Sequence, residues 1–221
     1  MTGDVRVVLA DELDRLRQIV AGVSDAEIVR ATSCEGWSVA DLLVHLRLDG
    51  EELLRGLTVP CDDPVDRDYV SYWKDWPASG QATFADVRWI WATAASYATT
   101  DSLRGHVDEV MTAAAAVSRV APGGRVRFQN HVLSIDDLLT MFSVEFAVHH
   151  LDLLVAVPDR PGPEPGALEL AVSTLDGLLG PRHPTSWDQL TYVRKATGRQ
   201  RLDAADIAEL GTDSSRYPAF G

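Results

Sequence analysis

Apolar residues recur every three or four positions along most of the chain, which is the spacing of amphipathic helices. Ser38 and Ser134 each precede such a segment and have an aspartate three residues later, a pattern typical of helix N-termini. The segment 126–128 alternates instead and predicts a short strand. The sequence therefore predicts a mostly α-helical protein. The predicted helices span residues 4–22, 38–56, 83–99 and 101–119 (one helix in two segments, or a pair), 134–157, 166–180, 187–197 and 203–210.

The clearest linker is the proline- and glycine-rich segment PDRPGPEPG, which begins at Pro158. It divides the chain into a four-helix bundle over residues 1–157 and a small C-terminal helical region, residues 158–221, packed on that bundle. Residues 58–82 predict a long loop with short helical pieces. Loops of this length inside a compact domain are usually functional or disordered. This loop contains enough aromatic side chains to pack: Tyr69, Tyr72, Trp73 and Trp76.

The charge of the chain excludes some partners. The sequence has 33 acidic and 20 basic residues, a formal net charge of −13, and no basic cluster. Such a surface repels a phosphate backbone, so no nucleic acid partner is expected.

No apolar stretch is long enough to span a membrane, and no signal-type segment is recognisable. We therefore expect a cytoplasmic protein, a monomer or homodimer, whose Cys34 and Cys61 are unpaired.

One pair of residues has the spacing of metal ligands. Glu145 and His149 are four residues apart in a helical segment and project from one face, one turn apart. Asp152 follows on nearly the same face, and His45, in the middle of another helix, is the candidate third ligand. Imidazole and carboxylate donors suit Zn²⁺, and Ni²⁺ or Fe²⁺ are alternatives. By spacing alone, however, a buried histidine is more often hydrogen-bonded in a core than bound to a metal.

Two motifs resemble those of a known family. The segment EGWSVADLLVHL, residues 35–46, resembles the GW-(S/T)-x-x-x-L-x-x-H signature of the DinB-like, mycothiol-dependent maleylpyruvate isomerase family. The segment EFAVHHLDL, residues 145–153, resembles the E-x-x-x-H-x-x-D-L motif of that family. The resemblance implies a DinB-like four-helix bundle whose divalent metal, usually zinc, is held by His45, Glu145 and His149. It makes Asp152 a carboxylate that orients a ligand, since metal-binding histidines commonly donate their second N–H to such a group.

The resemblance also implies a cosubstrate, mycothiol, which is the low-molecular-weight thiol of actinobacteria. The segment from Asp188 to Arg199 is similar to the end of the isomerases' second domain, where an arginine contributes to the active site. Arg199 is the counterpart here, although a surface arginine after a helix-ending glycine is an equally good interpretation. Trp73 and Trp76 are candidate contacts for the bound thiol or its acceptor. Two further tryptophans are candidates for the wall of the acceptor pocket: Trp89 and Trp91.

Three protein ligands leave a position open on the metal, as in catalytic sites. A metal-bound thiol is deprotonated, and the thiolate is the nucleophilic form. The first hypothesis is a mycothiol-dependent S-transferase acting on a small electrophile in detoxification or natural-product assembly. The second is the cis–trans isomerase, disfavoured because Val144 stands where the isomerases carry an arginine before the metal-binding glutamate. The third hypothesis is a non-catalytic metal-bound module, which would have a fourth protein ligand and bind no thiol. The fourth is a metal-dependent hydrolase, which would need a general base near the open site, and Asp152 is the candidate.

Overall fold

Helices dominate the computed structural model, which describes residues 3–75, 84–181 and 183–220. The helices are α1 Val5–Ala21, α2 Val39–Gly56, α3 Phe84–Ala95, α4 Thr100–Arg119, α5 Ile135–Leu154, α6 Pro165–Leu179, α7 Gln189–Ala196 and α8 Ala204–Leu210. Short 3₁₀ helices span Ser71–Asp75 and Gly211–Arg216. Two antiparallel strands, β1 Arg125–Phe128 and β2 His131–Ser134, form a hairpin. Within the described residues, no helix combines the length and apolar character needed to cross a membrane.

The predicted mostly helical class is confirmed, and most predicted helices match the observed ones within a few residues. The segment 83–119 forms two helices, α3 and α4, separated by a break that the side chain of Thr99 caps. The prediction lacked strand β2. Val132 and Leu133 are both buried there, so the strand has no apolar–polar alternation. Residues 76–83, which include part of the predicted aromatic loop, lie outside the described residues.

Helices α1, α2, α4 and α5 pack around one apolar core and form the predicted four-helix bundle. At Gly50 in α2, a Cβ atom would lie 2.7 Å from Val110 Cγ1, so glycine permits the close approach of α2 to α4. Helix α6 packs against α5, and α7 packs against α6. The predicted boundary at Pro158 falls in the linker between α5 and α6. The apolar core continues across that linker into the C-terminal helices.

Helix α2 begins at a capping box. The Ser38 side chain accepts a hydrogen bond from the Asp41 backbone N–H, and the Asp41 carboxylate accepts one from the Ser38 N–H at 2.8 Å. These bonds satisfy two of the backbone N–H groups that a helix start leaves free. The cap therefore fixes where the helix that carries His45 begins.

The Ser38→Ala variant should lower the free energy of unfolding by about 1 kcal/mol, the usual contribution of such a cap. Thermal unfolding should show a midpoint lower by about 2–4 °C for a chain of this size. Ser38→Thr is the matched control, because threonine keeps the capping hydroxyl, which also donates to the Asp41 carboxylate at 2.6 Å. Equal midpoints for the alanine and wild-type proteins would show that the cap contributes nothing.

Candidate metal centre

Two facing helices of the bundle bring together the three predicted metal ligands. His45 lies on α2, and Glu145 and His149 lie one turn apart on α5. The Nε2 atoms of His45 and His149 are 3.0 Å apart, and Glu145 Oε1 lies 3.1 Å from His149 Nε2. The same Glu145 oxygen lies 3.5 Å from His45 Nε2. Residues separated by about 100 positions thus converge on one largely buried point.

A fourth side chain, absent from the sequence-based prediction, joins this cluster. Asp49 follows His45 by one turn of α2, and its Oδ2 atom lies 3.2 Å from His45 Nε2. One donor atom from each of the four side chains lies within 4.8 Å of the other three. The signal was available, because His45 and Asp49 have the same four-residue spacing as Glu145 and His149. The spacing alone does not single out Asp49, because this residue begins an acidic segment of the kind usually exposed to solvent.

His149 has one ring nitrogen directed at the cluster and the other at Asp152. Its Nδ1 atom lies 2.9 Å from Asp152 Oδ2, and a carboxylate oxygen can only accept, so Nδ1 carries the proton. Burial alone would lower the pKa of His149, but Glu145 and Asp152 outweigh it and raise that pKa above its ordinary value. A bound metal ion would take the place of the proton on Nε2. This arrangement is the usual one for a metal-binding histidine, whose second nitrogen donates to a carboxylate.

Asp152 receives hydrogen bonds from several parts of the chain. Arg199 donates from Nε to Oδ1 at 3.1 Å and from Nη2 to Oδ2 at 3.0 Å, a two-point ion pair. Cys34 Sγ donates to Oδ2 at 3.3 Å. Burial alone would raise the pKa of Asp152, but His149 and Arg199 outweigh it and hold that pKa below its usual value. A carboxylate so fully engaged is a poor general base, which removes the basis of the hydrolase hypothesis.

Electrostatics in the cluster favour a cation. Burial alone would raise the pKa of Glu145, but the charge of His149 outweighs it and holds that pKa below its ordinary value. Burial raises the pKa of Asp49 to about 6, and the nearby Glu145 carboxylate adds to this rise although His45 opposes it. The cluster therefore holds two carboxylates in one largely buried place, where a divalent ion would neutralise both.

The separations of the donor atoms fit a metal ion. Ligand atoms about 2.0–2.2 Å from a tetrahedral zinc ion lie roughly 3.3–3.6 Å from one another. Four of the separations in the cluster fall between 3.0 and 3.5 Å. Two imidazoles and two carboxylates suit Zn²⁺, and they also suit Fe²⁺ or Ni²⁺. The residues present therefore fit the divalent metal that the motifs imply.

Of the two tryptophans predicted to contact the cofactor, the structure describes Trp73 but not Trp76. Trp73 is buried and stacks on Phe220 with ring centres 4.4 Å apart, so it joins the loop to the C-terminal segment. This burial leaves the ring little surface to offer a ligand, and its role in cofactor binding stays a prediction. Trp76 lies outside the described residues.

Other aromatic side chains lie beside the cluster. Trp37 packs edge-on against His45 with ring centres 5.1 Å apart. The turn before it needs a positive φ at Gly36, where the angle is 77°. Trp91 on α3 is partly exposed and donates from Nε1 to the Gly36 carbonyl at 3.3 Å. The turn that carries Cys34 and Trp37 is therefore covered from the α3 side.

His150 points away from the cluster, as its position next to His149 predicts. Its Nδ1 atom lies 2.7 Å from Glu12 Oε1, and its Nε2 atom lies 3.0 Å from the Pro161 carbonyl. Both ring nitrogens therefore face oxygen atoms, and the imidazole joins Glu12 to the start of the linker. Both side chains are fully buried. Spacing along the chain gives no hint of this pair, because its members are 138 residues apart.

The Asp152→Asn variant should bind the metal about 10–100-fold more weakly, the usual effect of losing a carboxylate that orients a metal-binding histidine. The amide would also turn an N–H donor toward Arg199 or His149. Zinc affinity is measured by competition with a chromophoric chelator. Asp136→Asn, an exposed change on the same helix, is the control. Equal affinities in the two variants would contradict the orienting role of Asp152.

The fold and the cluster define a class: a four-helix bundle with a candidate divalent-metal centre between two of its helices. The family model described as the mycothiol maleylpyruvate isomerase N-terminal domain matches residues 9–154, more than half of the chain. The chain belongs to this family. The resemblance seen in the two sequence motifs is thereby confirmed.

Two solved structures are similar to this chain. Both are crystal structures of mycothiol-dependent maleylpyruvate isomerase, one of them a histidine-to-alanine mutant, and each gives a TM-score of 0.51. They are 18% and 15% identical in sequence to this chain, and the mutant is the latter. Each match covers 77% of this chain and 66% of the other, just under two thirds of its length. At these identities the likeness shows a shared fold. No curated protein matches the sequence.

Proposed function

We propose that this protein is a metal-dependent enzyme that uses mycothiol to isomerise a cis double bond in a small conjugated acid of the maleylpyruvate type. The convergence of His45, Glu145 and His149, in a chain of this family, carries the proposal. A bound divalent ion, most simply Zn²⁺, would lower the pKa of a coordinating thiol and so supply a thiolate at neutral pH.

The side chains around the centre have separable tasks in this reaction. His45, Glu145 and His149 hold the ion, Asp152 fixes the ring of His149, and Arg199 holds Asp152 in place. In the reaction, the thiol sulfur adds to one carbon of the double bond, which becomes a single bond and rotates. The thiol leaves when the double bond re-forms. The thiol is therefore regenerated in each cycle.

In the sequence, Val144 stands where the isomerases carry an arginine, and this difference favours S-transfer over isomerisation. Val144 precedes Glu145 by one residue on α5, so helix geometry turns its side chain about 100° from that of Glu145, and it is completely buried in the core. Arg199 brings a guanidinium group to Asp152, which contacts His149. Because Asp152 balances that charge in a two-point ion pair, Arg199 holds the carboxylate in place and does not replace the missing arginine. We place isomerisation ahead of S-transfer because the matching family model and both similar structures are described as maleylpyruvate isomerases.

The other hypotheses share part of this chemistry. An S-transferase would use the same metal and thiol, but its acceptor would keep the sulfur. A metal-bound module without activity would have a fourth protein ligand that no thiol displaces, and Asp49 is the candidate for that ligand. Thiol binding therefore separates the module from both enzymes, and the fate of the thiol separates the enzymes from each other.

The direct test incubates the zinc-loaded protein with mycothiol and maleylpyruvate and separates the products by liquid chromatography with mass detection. We expect conversion to the trans isomer only when both metal and thiol are present, with no consumption of mycothiol. Stoichiometric loss of mycothiol into an S-conjugate would instead favour the S-transferase. Absence of both turnover and thiol binding would favour the module.

A further inference from the structure

We infer that Asp49 is a fourth protein ligand of the metal ion, so that two imidazoles and two carboxylates from α2 and α5 hold the resting centre. The inference rests on the proposed function, because it takes His45, Glu145 and His149 to be ligands. It deepens that proposal, since a thiol would then enter as an additional ligand or displace Asp49. The carboxylate would thus control access of the thiol to the centre.

Asp49 carries a buried oxygen that the described part of the chain leaves without a hydrogen bond, Oδ2. His45 Nε2 is 3.2 Å away but is not oriented to donate to it. That nitrogen also faces His149 Nε2 at 3.0 Å, and one ring nitrogen carries at most one proton. A buried carboxylate oxygen without a donor is unfavourable. A cation at the centre would remove this penalty.

The pairing of charges on α2 distinguishes Asp49 from its acidic neighbours. Glu51 is paired with Arg47, and Glu52 is paired with Arg55 at 2.7 Å. Among the described residues, no arginine or lysine forms an ion pair with Asp49. Instead its donor atom lies within 4.8 Å of those of the three predicted ligands. Asp49 is therefore the carboxylate of this segment whose charge a metal ion would balance.

Two matched variants test the inference. Asp49→Asn removes the charge of the proposed ligand, and Glu52→Gln removes a charge three residues away that has its own arginine partner. Zinc affinity is measured by chelator competition, and the coordination sphere by the visible absorption of the Co²⁺-loaded protein. We expect Asp49→Asn to bind zinc at least about 100-fold more weakly, the upper limit for losing a mere orienting group. Its Co²⁺ spectrum should change, whereas Glu52→Gln should match the wild type in both measurements.

Thermal unfolding of the metal-free proteins checks that weaker zinc binding is not caused by unfolding of the variant. Because Asp49 is a buried carboxylate near Glu145, the metal-free Asp49→Asn protein should be at least as stable as the wild type. Its gain in unfolding midpoint on adding zinc should be smaller. Wild-type zinc affinity and an unchanged Co²⁺ spectrum in Asp49→Asn would overturn the inference. Failure of the metal centre itself, on which the proposed function rests, is a different result: the wild type and His149→Ala would then bind zinc alike.

Discussion

Replacing His149 by alanine should reduce metal affinity by more than about 100-fold, beyond the effect of removing a group that merely orients a ligand. His149 contacts three other side chains of the centre: its Nε2 atom faces Glu145 and His45, and its Nδ1 atom faces Asp152. Alanine therefore removes a donor and disconnects Asp152 from the ion. Thiol-dependent turnover should fall to the background rate. Elemental analysis of the purified protein and the isomerisation assay measure the two effects.

His106→Ala is the matched control for this prediction. His106 is partly exposed on α4 and hydrogen-bonded to the Tyr97 hydroxyl at 2.7 Å, outside the cluster. Its loss should leave both the metal content and the turnover near wild-type values. Equal metal content in the His149→Ala and His106→Ala proteins would contradict the proposed ligand set.

Replacing Glu12 by glutamine should lower the free energy of unfolding by about 3 kcal/mol, as expected when a fully buried hydrogen-bonded group is left with an unsatisfied partner. Glu12 Oε1 pairs with His150, and Oε2 accepts the Glu164 N–H at 2.5 Å. An amide would have to turn its donor toward one of these two donors, and a buried unsatisfied donor is costly. The pair links α1, α5 and the start of α6, so the loss should affect the whole fold. A midpoint lower by about 6–12 °C is expected in thermal unfolding.

Asp11→Asn provides the comparison for Glu12→Gln. Asp11 is the neighbouring residue on α1, is about half exposed and pairs with Arg119 at 3.1 Å. Exposed ion pairs contribute about 0–1 kcal/mol, so this variant should unfold close to the wild-type midpoint. Similar unfolding midpoints for the two variants would show that the buried Glu12–His150 pair stabilises the fold no more than an exposed ion pair does.

The fold could be predicted because its helices carry local signals. The apolar periodicity of α1, α2 and α5 and the caps at Ser38 and Ser134 depend on residues within a few positions of one another. Strand β2 lacked such a signal, because Val132 and Leu133 are both buried and do not alternate. What decides its conformation is pairing with β1, a contact that local periodicity does not encode.

The candidate site was predictable where its residues share a helix turn. Glu145 and His149 follow from spacing, and His45 follows from the family motif. The contacts of Cys34 and Arg199 with Asp152 come from tertiary packing, so no spacing rule reveals them. The same holds for the Glu12–His150 pair, whose members lie on different helices.

The central claim is that the metal centre activates an external thiol. Isothermal titration of mycothiol into the zinc-loaded protein, and into the same protein stripped with a chelator, tests it most directly. The claim predicts binding of one thiol per chain to the zinc-loaded protein and loss of that binding when the metal is removed. Equal binding by both forms, or binding by neither, would contradict it.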